Sequence, residues 1–239
     1  GNLAIPFDQG SVCLNYDEDY VDGENVSIPS SLWDLTKPEW EGKFAVPSPL
    51  SSSPGRSFMI ATIDYFENDD NDSTDAFDWW QAVRENNAII TSGWTEAYET
   101  HYTGGYGEYT TGHIGDAHIT VSYCHSPGVE AFFSENYTHS TSLTIPLTTF
   151  HQVEYAGIIN GTANIPAAEL FIEYLLSEEV NALMPENNYM YSVLNGQDLP
   201  ETDGYRYHAD YPEKNSDIDI ERINDEMQSW LEQWQEATQ

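Results

Sequence analysis

Four short stretches of this 239-residue chain carry the residue types and spacing that could meet a ligand. The first, 46-VPSPLSSSPGRSFMIATI-63, reads as a strand, a Ser/Pro/Gly turn and a helix. Hydroxyls and free backbone N–H groups at a helix start hold a phosphate, hydroxyl or carboxylate, so Ser51, Ser52 and Ser53 are ligand candidates, although the same serines suit plain helix capping. In 93-GWTEAY-98 a strand ends at Gly93 and a helix begins with Thr95 as expected cap. Trp94 would then project from the carboxyl end of a strand, the edge at which open α/β sheets bind ligands. The third stretch, 121-VSYCHSPG-128, is another strand end and carries Ser122 and Tyr123. In the fourth, 187-NNYMYSV-193, Tyr189 and Tyr191 follow a helix. One aromatic at a turn is ordinary core, but four such turns point to a pocket with aromatic walls.

Reaction chemistry has no comparable signal. The chain contains no G-x-S-x-G, no H-E-x-x-H, no Walker A and no dinucleotide glycine pattern. Its histidines are scattered, and the His113/His118 spacing is the one hint of metal. The expectation is a binding module without catalytic residues, metal or cofactor.

Composition bounds the partners. Forty-one acidic residues against seven basic ones give a formal charge of −34, which repels a nucleic-acid backbone. The acids are spread through segments that also carry Trp, Tyr, Ile and Leu, the pattern of a folded acidic surface adapted to high salt rather than of a disordered tail. Only 67-ENDDNDSTD-75 is a true run, and without the glycine and distal Glu of an EF-hand it reads as a solvated loop. Cys13 and Cys124 could pair or stay apart; buried free thiols are the expectation. No apolar run is long enough to span a bilayer, and no signal peptide opens the chain. Sequons stand at Asn25, Asn71, Asn136 and Asn160, a number that polar sequences reach by chance.

The elements that must position these residues alternate as in an α/β fold. Strands are expected at 43–48, 87–91, 117–123 and 153–159, and helices at 57–67, 74–86, 167–184 and 217–237. In the last helix Ile220, Ile223, Met227, Trp230, Leu231 and Trp234 recur at 3/4 spacing, one face to be docked on the core.

The segments 33-WDLTKPEWEGKFAVPSPLSSSPG-55, 93-GWTEAY-98, 122-SYCHSPG-128 and 187-NNYMYSV-193 are similar, in order and spacing, to the thiamine-binding solute receptors of ABC transporters. The resemblance runs from about Pro6 to Val193. It implies a type II periplasmic-binding-protein fold, two α/β lobes that close on a ligand, with most of the first lobe absent from this chain. On that pattern residues 1–16 are a crossover strand, 17–150 the second lobe, 151–185 a return strand and helix of the first lobe, and 186–239 a C-terminal helical segment. Trp94, Tyr123 and Tyr189 would be aromatic walls around thiamine, with Tyr191 and Ser122 beside them. Ser51, Ser52 and Ser53 would meet its hydroxyl or phosphate tail, and Glu96 would stand near the thiazolium cation. Two positions depart from the family: Tyr189 replaces the usual Trp, and 48-SPL-50 replaces an Asp-Pro-Arg, removing an arginine.

The resemblance further implies an extracellular or cell-surface receptor, anchored through a preceding segment and delivering thiamine or a phosphate ester to permease subunits. Receptors of this wider group also take polyamines or Fe(III), but the iron proteins resemble a pattern with adjacent tyrosines where Cys124 follows Tyr123. From a different class, a chain lacking most of one lobe would suit a structural or assembly role, including self-association through the incomplete lobe.

Overall fold

The computed structural model describes residues 4–21, 26–68, 74–106, 110–134, 138–194 and 208–239. Asn25, Asn71, Asn136 and the centre of the acidic run, 69–73, lie outside the described residues. Asn160 lies in an exposed turn.

Strand β1, Ile5–Asp17, organises the sheet. At about 3.3 Å per residue its 13 residues reach roughly 43 Å, long enough to serve different partners along its length. Its first half pairs antiparallel with β6 (Phe150–Ala156) and, at Asp8 and Gln9, with β7 (Tyr191–Ser192). Its second half pairs antiparallel with β4 (Ile119–Tyr123) and β5 (Ser140–Leu143). Strand β2 (Phe44–Pro47) lies parallel between β4 and β3 (Ile89–Thr91), giving the order β3-β2-β4-β1-β5. Both edges of β1 are thus consumed by pairing, and the residues from Gly10 to Asp17 are buried.

Helix α1 (Ser53–Asn68) packs on this sheet, α2 (Ala76–Glu85) packs against α1, and α3 (Ser126–Phe133) follows β4. Asp75 caps α2, accepting from the Phe77 and Asp78 amides at 2.8 and 2.9 Å, while Asp78 reaches back to the Asp75 amide. The tryptophans of α2 are wholly buried, and each indole N–H finds an acceptor: Trp79 on the Leu32 carbonyl at 2.8 Å, Trp80 on the Thr62 hydroxyl at 3.0 Å. The terminal helix, Ile220–Ala237, docks as its apolar spacing predicts. Trp230 and Trp234 are buried, with Trp234 edge-on to Trp80 at 5.8 Å between centroids. Ile220, by contrast, is exposed.

Two expectations are corrected. Cys13 and Cys124 form a disulfide, with Cα atoms 5.0 Å apart. The pairing follows from register, because Val12 lies opposite Tyr123 and the Cys124 amide donates to the Ser11 carbonyl, so the two side chains meet. The helix expected over 167–184 is three: α4 (Ile165–Leu175), α5 (Glu178–Asn181) and α6 (Met184–Asn187). Ser177 divides the first two, its hydroxyl donating to the Tyr174 carbonyl and accepting from the Val180 amide; Pro185 starts the third. α4 buries none of its residues, and Leu170, Phe171 and Tyr174 are mostly exposed. No helix among the described residues is long and apolar enough to cross a membrane.

The disulfide closes a separation of 111 residues, so it should stabilise mainly by restricting the unfolded chain. Replacing both cysteines by alanine should lower unfolding free energy by about 2–4 kcal/mol in denaturant titration, and alkylation of the unreduced native protein should label neither thiol.

Candidate functional site

The turns singled out from sequence converge at the carboxyl ends of β3 and β4. Here Pro54, Trp94, Tyr98, Tyr106, Tyr123, Ser126, Val129, Glu130, Glu154, Asn188, Tyr189 and Met190 surround a cavity of about 290 Å³. That is near the lower end of small-molecule pockets, roughly 300–1,000 Å³. Glycine 55 allows the approach of α1 to β2, because a Cβ there would collide with the Pro47 carbonyl. It thereby brings Pro54 to the cavity wall.

Trp94 and Tyr98 stand four apart on the helical turn that leaves β3, and their rings stack at 5.0 Å and 14°. The Trp94 indole N–H donates to the Ser122 hydroxyl at 2.8 Å, and Ser122 is paired with Ser126 at 2.8 Å. One face of the indole is thus packed, its edge is pinned, and Trp94 as a whole is half-buried and lines the cavity. Beneath it the Tyr98 hydroxyl donates to Glu130 at 2.8 Å. Burial first, then the neighbouring Glu130 carboxylate, pushes the Tyr98 phenol far up, so it remains a donor. The Tyr123 hydroxyl accepts from Gln152 Nε2 at 3.2 Å, and burial with the nearby Glu154 holds that phenol neutral as well.

Tyr189 is placed differently. Its backbone is left-handed, with φ of +57°, a conformation unusual for a bulky residue. His125, fully buried, holds it there: His125 Nε2–H donates to the Tyr189 carbonyl at 2.5 Å. Burial lowers the His125 pKa to about 4, so the ring is neutral. Gly10 makes room for that ring, since a Cβ on β1 at this position would come within 2.7 Å of His125 Cε1.

Other expected residues stand elsewhere. Ser51 donates to the Ser92 carbonyl at 2.8 Å, and Ser52 caps α1, with the Gly55 amide 3.4 Å from its hydroxyl. Ser53 is exposed at the helix start, and none of the three lines the cavity. Thr95 is already helical and caps nothing. Glu96 instead accepts from the Ser92 amide at 2.8 Å and the Ser92 hydroxyl at 2.7 Å, which lowers its pKa and turns it away from the cavity wall. Tyr191 faces a neighbouring cavity of about 360 Å³ with Tyr211, on which it stacks at 5.0 Å. His113 and His118 do not meet: His113 bonds the Glu99 carbonyl and His118 the Thr103 hydroxyl. The reading of the sequence missed Tyr98, Tyr106, Glu130, Glu154 and Asn188. The four-residue spacing of Trp94 and Tyr98 was a visible signal, whereas Glu154 reaches the site only through the β1–β6 register.

A family model described as bacterial extracellular solute-binding protein matches residues 1–102. The thiamine-binding periplasmic protein of Escherichia coli is 22% identical over 98% of this chain, which spans 63% of that protein's length. A solved periplasmic thiamin binding protein superposes with a TM-score of 0.78 at 21% identity, over 100% of this chain and 67% of its own. The iron-bound HitA from Pseudomonas aeruginosa gives 0.64 at 15% identity, covering 99% of this chain and 69% of that protein. The fold is that of a type II periplasmic binding protein. Its relatives are solute-binding proteins rather than enzymes, and the expectations for family resemblance and fold class hold.

A neutral buried histidine gives this site an acid limit. Because the folded pKa of His125 lies below the ordinary 6.5, its contribution to stability is full above about pH 6.5 and is lost as pH falls towards 4. In thermal unfolding from pH 8 to pH 4, wild type should lose up to about 3 kcal/mol more than His125→Leu at the acid end, at 1.36 kcal/mol per pKa unit.

Proposed function

We propose that this chain is the ligand-binding part of an extracytoplasmic receptor that captures thiamine and presents it to the permease of an ABC importer. The observation that carries the reading is the character of the cavity: aromatic rings from Trp94, Tyr98, Tyr106, Tyr123 and Tyr189, carboxylates at Glu130 and Glu154, and no lysine or arginine among the described residues of the wall. Such a lining suits a flat aromatic cation, each cation–π contact contributing on the order of 0.5–2 kcal/mol. It suits thiamine better than its phosphate esters, because Arg56, the basic residue nearest the serine turn in sequence, is turned to the Pro49 carbonyl at 3.1 Å. An Fe(III) site finds less support, since Cys124 beside Tyr123 is occupied by its disulfide. A polyamine would satisfy the carboxylates but leave the flat aromatic faces without a planar partner.

In this reading residues 1–16 cross between two lobes, 17–150 form the second lobe, 151–185 are the part of the first lobe carried here, and 186–239 are a C-terminal helical segment. The apolar, unburied α4 supports that division, since a lobe that continued beyond the matched length would cover it. The chain's net charge of −34 supports a salt-adapted surface, and the Cys13–Cys124 disulfide supports an oxidising compartment outside the cytoplasm. A second reading, assembly with another polypeptide or another copy, draws on the same exposed Leu170, Phe171 and Tyr174.

Titration calorimetry with thiamine in molar KCl tests the receptor reading. Binding is expected in the micromolar range or tighter, weakened at least about tenfold by Trp94→Ala and less by Ser53→Ala, with thiamine monophosphate no better than thiamine. A folded sample that takes up no thiamine would favour the assembly reading. The melting temperature should climb as KCl is raised from about 0.1 M to 2 M, because screening relieves repulsion among the surface carboxylates; a flat response would remove the case for salt adaptation.

A further inference from the structure

Asp8 and Glu154 are directly opposed across the antiparallel β1–β6 pair, so their side chains leave the same face of the sheet about 5 Å apart at Cβ. Like charges in that arrangement repel. Glu154 lines the cavity, and so does Asn188, whose side-chain amide donates to Asp8 Oδ2. Asp8 itself is completely buried, and its other oxygen, Oδ1, has no hydrogen-bond partner among the described residues. A fully buried carboxylate with an orphaned oxygen, set against a second carboxylate and given only a neutral amide, is poorly satisfied in the empty protein.

We propose that Asp8 and Glu154 form the cation subsite of the cavity, and that Asp8 holds a proton when the site is empty and surrenders it to solvent when an organic cation binds. The inference rests on the reading of the cavity as a receptor for such a cation. Charge balances in the exchange: the pair carries one negative charge and one proton before binding, and two negative charges beside one positive ligand charge after it. Among the described residues, the groups that face Asp8 are Glu154 on β6, Tyr123 on β4 and the Asn188 amide after α6, and no lysine or arginine lines the cavity. Burial, then the Glu154 charge, raises the Asp8 pKa to about 7, against a lowering by the Asn188 bond. A cation entering the subsite reverses the sign of the local field, so the carboxyl ionises. Gln152 orients the second carboxylate, donating to Glu154 Oε1 at 3.1 Å and to the Tyr123 hydroxyl at 3.2 Å, with Ser57 donating to its amide oxygen.

The test is calorimetry on the whole chain in buffers of different ionisation enthalpy, from pH 5 to pH 9, with thiamine and with putrescine as probes. Wild type should release nearly one proton per thiamine around pH 6 and almost none at pH 9, with affinity rising by up to about tenfold per pH unit until near pH 7. Asp8→Asn, which keeps the size and the Asn188 contact, should abolish the release and flatten the pH dependence. Glu154→Gln should move the release to lower pH, an effect that loss of packing would not produce. Thiamine binding without proton release would overturn the subsite and leave the receptor reading standing. Putrescine binding with proton release, where thiamine fails, would support the subsite and overturn thiamine. A folded protein that binds neither probe at any pH would overturn both.

Discussion

The hydrogen-bond requirement of strand β1 governs the rest of the molecule. A strand buried for most of its length must pair along both edges, because unpaired amides and carbonyls away from water are costly. β1 meets this with four antiparallel partners, two at each end, and each partner delivers a functional or structural group to a fixed register position. β4 brings Cys124 to Cys13 and Tyr123 to the cavity; β6 brings Glu154 to Asp8; β7 follows directly on Tyr189 and Met190. A slip of one residue in any pairing would send these side chains to the opposite face.

The same strand shows how neighbours rather than residue type set a charge. Asp8 and Asp17 are both buried aspartates on β1. Burial opposes ionisation at Asp17 too, but there it is outweighed by the His118 side chain, the Thr103 hydroxyl at 2.5 Å, His139 Nδ1 at 2.8 Å and the Asp19 amide at 2.9 Å, which hold the carboxyl well below its usual range. Asp17 is therefore a fixed anion that ties β1 to the segments before β4 and β5, while Asp8 has one neutral donor and a like charge opposite. The contrast separates a carboxylate satisfied by the fold from one left for something outside it.

Local patterning made much of this legible. The strands at β2, β3 and β4, the helices α1 and α2 and the docked terminal helix follow from apolar periodicity and from Asp75, Pro54 and Gly55 as punctuation. The aromatic wall was legible where glycine and serine turns flank the ring, as at Trp94 and Tyr123. What the sequence hid depends on register and tertiary closure. The disulfide requires knowing that Val12 lies opposite Tyr123, and the Asp8–Glu154 pair joins residues 146 positions apart. The serines were read by residue type alone, and the fold consumes Ser51 and Ser52 in closing the turn against Ser92 and Gly55. Glu96 is held in a similar way by a local contact, since its carboxylate accepts from the Ser92 amide and hydroxyl, a bond that residue type alone does not reveal.

Surface charge and cavity charge then act on different length scales. At molar salt the screening length is about 3 Å, so the carboxylates spread over the exterior exert little pull on a distant cation. Selection under those conditions must come from groups closer to the ligand than mobile counterions can reach. Inside the cavity those groups are the faces of Trp94, Tyr123 and Tyr189 and the carboxylates of Glu154 and Glu130, with Asp8 behind them. On the proposed function, the aromatic faces select shape and polarisability, contacts at van der Waals range that salt does not screen. Asp8 adds a selection by charge that is shielded from salt because it is buried, and its one unused oxygen makes an empty site less comfortable than a filled one. The acidic exterior and the Asp8–Glu154 pair thus stand in different electrostatic settings, the one open to mobile ions and the other shielded from them by the fold.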